Sequence, residues 1–189
     1  MPILPAQPSI YPGDLLDVAE PDCAGGSDSP KWWVFRTRAR QEKCLARELL
    51  AREIPFYLPV VPRRLLIRGR TVCSHVPLFT GYIFVRGNHE ERGLALTTNR
   101  VAQILSAPDG QLLRNELRTV QSLIDAGAPL TVESRLQANQ HVRIRRGALV
   151  GLEGTVAMRK NRTRLIVWVT MLQQGVSVEI EDCLLEPIG

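Results

Sequence analysis

Cys73 and His75 lie two residues apart in an alternating run, so on a strand they share one face, where a thiolate and an imidazole could hold a metal or form a nucleophile pair. A metal would need two more ligands, and the remaining Cys and His residues (Cys23, Cys44, Cys183, His89, His141) show no paired zinc-site spacing. There is no Gly-rich phosphate loop with its Lys, no G-x-S-x-G elbow and no H-E-x-x-H helix in the sequence. These residues predict a protein that binds rather than catalyses, with neither cofactor nor metal.

Arginines and aromatics offer more. Residues 31–70 hold eleven Lys or Arg against three Glu, a net of +8, with Arg63, Arg64, Arg68 and Arg70 gathered around one turn. A protruding basic hairpin there could contact phosphates, each contact adding to a salt-sensitive affinity, or it could be a solvated face. Eight of the ten aromatics (Trp32, Trp33, Phe35, Phe56, Tyr57, Phe79, Tyr82, Phe84) fall between positions 32 and 84. Neighbours on a strand point to opposite faces, so Trp32 and Trp33 cannot both be buried unless both faces of the sheet are covered. One face is therefore a candidate apolar patch for a partner helix, beside the equally simple reading of core packing.

The elements that must position these residues follow from pattern. Trp32-Trp33-Val34-Phe35 reads as a buried strand; 40–53 has no Gly or Pro and repeats Leu45/Leu49 and Ala46/Leu50 at i, i+4, an amphipathic helix that Pro55 stops. Residues 56–60 read as a strand, 65–67 and 71–76 as a hairpin with Gly69 in its turn, and 82–85 as another strand. A short helix near 90–98, a strand at 101–105 and a helix over about 114–126 complete an α+β sandwich, with helices on a small, mostly antiparallel sheet. Beyond it, 141–144, 154–159, 164–169 and 176–180, closed by 183–185, read as short strands of a small closed barrel.

Charge divides the chain further. Its 189 residues carry a formal +5, but residues 1–30 hold five acids, no Lys or Arg and six of the thirteen prolines, leaving +10 on the rest. That composition predicts a disordered acidic, Pro-rich tail over 1–30, a first domain at 31–127, a linker at 128–138 and an all-β domain at 139–189. A basic body implies an anionic partner, nucleic acid or an acidic protein face. The longest apolar runs span a handful of residues, the start has no secretion-signal pattern and the cysteines are scattered, which together predict a cytoplasmic protein without a membrane span.

The series Trp33-Val34-Phe35, Thr37-Arg38-Ala39-Arg40-Gln41-Glu42, Phe56-Tyr57-Leu58-Pro59 and Pro77-Leu78-Phe79-Thr80-Gly81-Tyr82-Ile83-Phe84-Val85 resembles the N-terminal domain of NusG-type transcription elongation factors. Thr98-Asn99-Arg100-Val101 with Ile104 is similar to the family's next segment. His141-Val142-Arg143-Ile144 through Gly147, Gly151 and Gly154 resembles the KOW motif opening its C-terminal SH3-like barrel, a motif that also fits ribosomal proteins. The resemblance implies a factor that docks an apolar depression on the coiled-coil clamp helices of RNA polymerase and favours processive elongation or antitermination, making and breaking no bond. Phe79, Gly81 and Tyr82 would lie at that depression with Trp33 near or beneath it, and Ala at Phe79 and Tyr82 would abolish polymerase binding with the fold intact. Arg63, Arg64, Arg68, Arg70 and Arg100 become candidate contacts to non-template DNA or other nucleic acid. Leu149, Met171, Leu172 and Gln174 become candidate contacts of the KOW domain to Rho or a small-subunit ribosomal protein. The alternative is a KOW-type RNA-binding or ribosome-associated protein.

Two departures stand out. Thr80 occupies the place where the family has Pro before Gly-Tyr, which predicts a slightly looser turn. Gln174 replaces a charge in the barrel loop, which resembles specialised paralogues of the RfaH or capsule-operon antiterminator kind rather than general factors coupled to Rho. Some such paralogues refold their barrel into helices; β-branched Val156, Ile166, Val167, Val169, Val176 and Val178 favour strands here.

Overall fold

A computed structural model describes residues 8–17, 29–67, 70–127, 129–133, 140–159, 162–180 and 184–188. The fold is α+β with antiparallel sheets, and the chain divides into two compact units, Met1–Gly110 and Gln111–Gly189.

In the first unit, β1 (Ile10–Tyr11), β2 (Lys31–Thr37), β3 (Phe56–Tyr57), β6 (Tyr82–Gly87) and β7 (Val101–Ser106) form one sheet in the order β1-β3-β6-β2-β7. The central strands β2 and β6 are the aromatic, β-branched runs, and their register sets Trp33 against Val85, Val34 against Phe84 and Arg36 against Tyr82. Helix α1 (Glu42–Ala51) lays Leu45, Ala46 and Leu49 onto Trp33, Phe35, Phe56, Ile83 and Val85, one dry core. Helix α2 (His89–Leu96) adds Ala95 to that core, and its start is fixed by a capping box in which Asn88 and Glu91 satisfy each other's backbone N–H.

The opposite face carries Trp32, Val34, Tyr57 and Phe84, and all four are fully buried as well. Both faces of the sheet are thus covered, which lets Trp32 and Trp33 be buried side by side. The expected open apolar patch around these aromatics is corrected accordingly.

β4 (Val60–Ile67) and β5 (Arg70–Pro77) pair along their whole length as a separate two-stranded ribbon, five residues longer on its first arm than the sequence pattern indicated. Three residues fewer than expected belong to the sheet strand before it, because β3 stops at Tyr57 and Val60 already faces Pro77.

The second unit holds α3 (Gly110–Asp125) from its second residue onward and a six-stranded antiparallel sheet in the order β13-β9-β10-β11-β12-β8. Its strands are β8 (Leu130–Glu133), β9 (Gln140–Ile144), β10 (Glu153–Arg159), β11 (Arg162–Val169), β12 (Gln174–Glu179) and β13 (Leu185–Pro187). Val142, Ile144, Ala157, Leu165, Ile166, Val167, Val169, Val176 and Val178 are buried, so aliphatic side chains build this core. At Gly154 a Cβ would sit 2.6 Å from the carbonyl oxygen of Ile166, an approach only glycine permits.

Two expectations about the connecting segments are corrected. Within the supposed tail, Ile10–Tyr11 pair with Phe56–Tyr57, Leu58 N–H donates to the Ser9 carbonyl at 2.6 Å, and Leu15 and Leu16 are buried. Four apolar side chains and a free sheet edge outweigh the unfavourable composition there; residues 1–7 and 18–28 lie outside the described residues. Within the supposed linker, Leu130–Glu133 pair with Val178–Gly175 as the edge strand β8.

Candidate functional site

The turn from β5 into β6 is the first candidate. Tyr82 N–H donates to the Phe79 carbonyl at 3.2 Å and Gly81 takes φ +85°, the pattern of a type II turn with Thr80 in the position Pro favours. Two further bonds fasten it: Thr37 N–H donates to the Gly81 carbonyl at 2.8 Å, and Gly81 N–H donates to Glu42 Oε1 at 2.7 Å. Glu42 is a buried carboxylate in the first turn of α1, so a charge-assisted bond ties the turn to the helix start. The looseness expected from Thr80 is offset by these fastenings. Glu42 stood inside the run quoted for the family resemblance, but its role in holding Gly81 is visible only in three dimensions.

The structure sorts the four residues expected to share one depression. Phe79 is 1% exposed and packs edge-on against Phe84, ring centroids 6.1 Å apart, with Tyr57 stacked on Phe84 at 6.3 Å. It is a support beneath the surface. Tyr82 is half-buried, and across the strands it lies in a row with Arg36 and Gln103, both exposed, so this row and Thr80 are what the turn offers to a partner. Trp33 is on the other face: its Nε1 donates to the Gly87 carbonyl at 3.0 Å, His89 meets its edge at 5.5 Å and Arg92 lies 5.0 Å from its ring centroid. It anchors the start of α2 rather than the turn, correcting its expected placement. Arg36 was missed because nothing in its spacing marks it; only the register brings it beside Tyr82.

The basic candidates also separate. Arg63 is exposed on β4 opposite Ser74, while Arg64 and Arg70 occupy register positions opposite Cys73 and Ile67 on the ribbon; Arg68 lies outside the described residues. Arg100 sits elsewhere, between α2 and β7, where its Nε bonds to Glu48 and its Nη1 to Gln41. The hydrogen bond that Arg100 donates to Glu48 holds the guanidinium above its ordinary pKa, against a smaller opposing effect of burial. Arg100 thus braces α1 against the strand β7, and its charge is answered within the fold. Cys73 and His75 are exposed on β5, and among the described residues no group of three or more His, Cys, Asp or Glu could hold a metal ion.

In the second unit, Leu149 is half-buried in the turn between β9 and β10, and Met171 and Leu172 form a 3-10 turn (Thr170–Leu172) between β11 and β12, with Gln174 opening β12 opposite Val169. Both turns meet α3. Arg118, Thr119 and Ser122 line a cavity of about 330 Å³ with Leu149 and Leu152, and Glu116 accepts hydrogen bonds from the Thr170 N–H at 3.0 Å and from its hydroxyl. α3 therefore links two turns whose contact residues Leu149 and Thr170 are 21 positions apart in sequence.

Comparison with known proteins supplies the context. No curated protein matches the chain in sequence. Among solved structures, a chain of the crystal structure of the MjSpt4:Spt5 complex in conformation B is similar at 14% identity and a TM-score of 0.29, over 84% of this chain and 97% of that one. Among the described residues, no helix is long and apolar enough to cross a membrane. The family model described as transcription termination factor nusG matches residues 30–124, half of the chain, from the first residue before β2 to the last turn of α3. The chain belongs to the NusG family, whose members are non-enzymatic transcription factors.

Proposed function

We propose that this protein is a transcription elongation or antitermination factor that binds the clamp helices of RNA polymerase through the domain 31–127 and promotes processive elongation. The observation that carries this reading is the family match over 30–124. The docking surface is the row of Tyr82, Arg36 and Gln103 with Thr80 at its end: an aromatic anchor flanked by a cation suits the acidic and apolar face of a partner helix. Phe79 supports Tyr82 from below, Gly81 shapes the turn, and the exposed Arg63 with the other arginines of the β4–β5 ribbon serves nearby non-template DNA. The sheet of the second unit acts as an SH3-like KOW barrel in which Leu149, Met171, Leu172 and Gln174 meet Rho or a small-subunit ribosomal protein. The uncharged Gln174 favours an operon-specific paralogue over a general factor.

Tyr82→Ala and Arg36→Ala, both at accessible positions, are expected to lower co-purification with RNA polymerase at least tenfold while leaving the circular dichroism spectrum unchanged. Phe79→Ala is not the right probe, because removing a fully buried ring costs about 3–5 kcal/mol of stability on its own. Unchanged polymerase binding by the Tyr82→Ala, Arg36→Ala double variant would overturn the reading. Transcription through a Rho-dependent site, with and without Rho, then separates an antiterminator, which raises read-through, from a general factor, which lowers it.

A further inference from the structure

We propose that the outer sheet face of the second unit, centred on Trp168, is a docking site for an arginine side chain carried by a partner protein. Side chains on a strand alternate between its faces. Leu165, Val167 and Val169 of β11 share the core face with Val176 and Val178 of β12, which leaves Arg164, Ile166 and Trp168 on the other. The register then sets six positions in one row across the sheet: Glu133, Gly175, Trp168, Glu153, Arg143 and Glu186, on β8, β12, β11, β10, β9 and β13.

Trp168 is half-buried, and its ring is pinned at both ends. Nε1 donates to Thr155 Oγ1 at 3.2 Å on one side, and on the other Cδ2 and Cε3 lie 3.5 Å from where a Cβ on Gly175 would sit. A ring reaching from Thr155 to Gly175 lies along the sheet and turns one π face away from it. The nearby Thr155 and Ser177 are short and buried, so they leave that face accessible.

The face of an indole attracts a cation, and a guanidinium stacks on it best. The first unit contains such a pair in Arg92 and Trp33, 5.0 Å from guanidinium carbon to ring centroid. Among the described residues Trp168 has no ring or cation partner. Beside it, on a strand about 4.8 Å away, Glu153 takes both nitrogens of Arg143 on Oε1, and its Oε2 has no partner among the described residues. A guanidinium above the ring can stack and donate to Oε2 together.

Charge selects a protein over a nucleic acid. The row holds Glu133, Glu153 and Glu186 against Arg143, and in the next row Glu179 faces Arg164, four carboxylates to two guanidiniums. A base could stack on the ring, but its phosphates would meet this acidic surround. An arginine on a protein segment satisfies both ring and charge.

The test follows the indole N–H signals of the full chain by nitrogen–proton NMR, with Trp168→Phe identifying the Trp168 signal by its loss. The probe is a blocked peptide of alternating Arg and Gly, and the control is the same peptide with uncharged citrulline for each Arg. The arginine peptide is expected to shift the Trp168 signal, to bind more weakly as salt rises from about 50 to 200 mM, and to lose about threefold in affinity in Glu153→Gln and in Glu133→Gln. A Trp168 signal unmoved by the arginine peptide, an equal response to the citrulline peptide, affinity unchanged in both Glu variants, or a single-stranded oligouridine bound as tightly would overturn the proposal. RNA polymerase co-purification should stay at the parental level in both Glu variants, so this site and the polymerase reading fail separately.

Discussion

The two units solve the same problem, burying a small antiparallel sheet, with different side chains. Nine of the ten aromatics lie in Met1–Gly110 and one, Trp168, lies in Gln111–Gly189. The first sheet buries rings on both of its faces, and each ring fills a large volume with few rotatable bonds. The second is built from Val, Ile and Leu, whose smaller contacts depend on close approach, of backbone at Gly154 and of the Ile166 side chain at Gly175. Size of side chain governs the first core and closeness of backbone the second.

That contrast is open to direct attack, and the largest effect belongs to the rings. Phe84→Ala is expected to destabilise the first unit by about 3–5 kcal/mol, whereas Val176→Ala in the second should cost about 2 kcal/mol, both read from urea denaturation midpoints at constant m-value. Equal losses would show that the aromatic core carries no special share of the stability.

Gly154→Ala comes next, at about 1–3 kcal/mol, because the new methyl meets the Ile166 backbone rather than a side chain that can swing aside. A neutral outcome in thermal melting would mean that β10 and β11 can separate without loss, and the closeness argument would fall. Smallest is Gly81→Ala, at roughly 1–2 kcal/mol, where the cost is conformational alone: φ is +85° and the added Cβ touches nothing within 4 Å. Its effect on the melting temperature should be matched by Gly81→Ser, since both pay the same dihedral penalty; a large difference between the two would point to a steric cause.

The parts of the fold that could be read from sequence are those with dense local signals. Trp32–Phe35, the Leu45/Leu49 helix and the run into Phe84 declared their elements through period and composition, and the central strands of the second unit did so through their β-branched alternation. β1 and β8 were missed for a shared reason: two and four residues long, they have no period of their own and become strands only because an edge is there to pair with. The functional candidates divide in the same way. Phe79, Gly81 and Tyr82 were found together because they adjoin in sequence, but their unequal burial, the transfer of Trp33 to the other face and the arrival of Arg36 depend on register, which no window of sequence contains.

The hydrogen bonding of Ile10–Tyr11 to Phe56–Tyr57 has a practical side. A fragment trimmed to the family-matched span would begin at residue 30 and lose this strand, leaving the outer backbone groups of β3 bare at the rim of the sheet. Such a rim is a template for the equivalent rim of another molecule, so the shortened protein should associate edge to edge as its concentration rises while the full chain remains dispersed. The residues that look most dispensable in the sequence are then what keep copies of this protein apart.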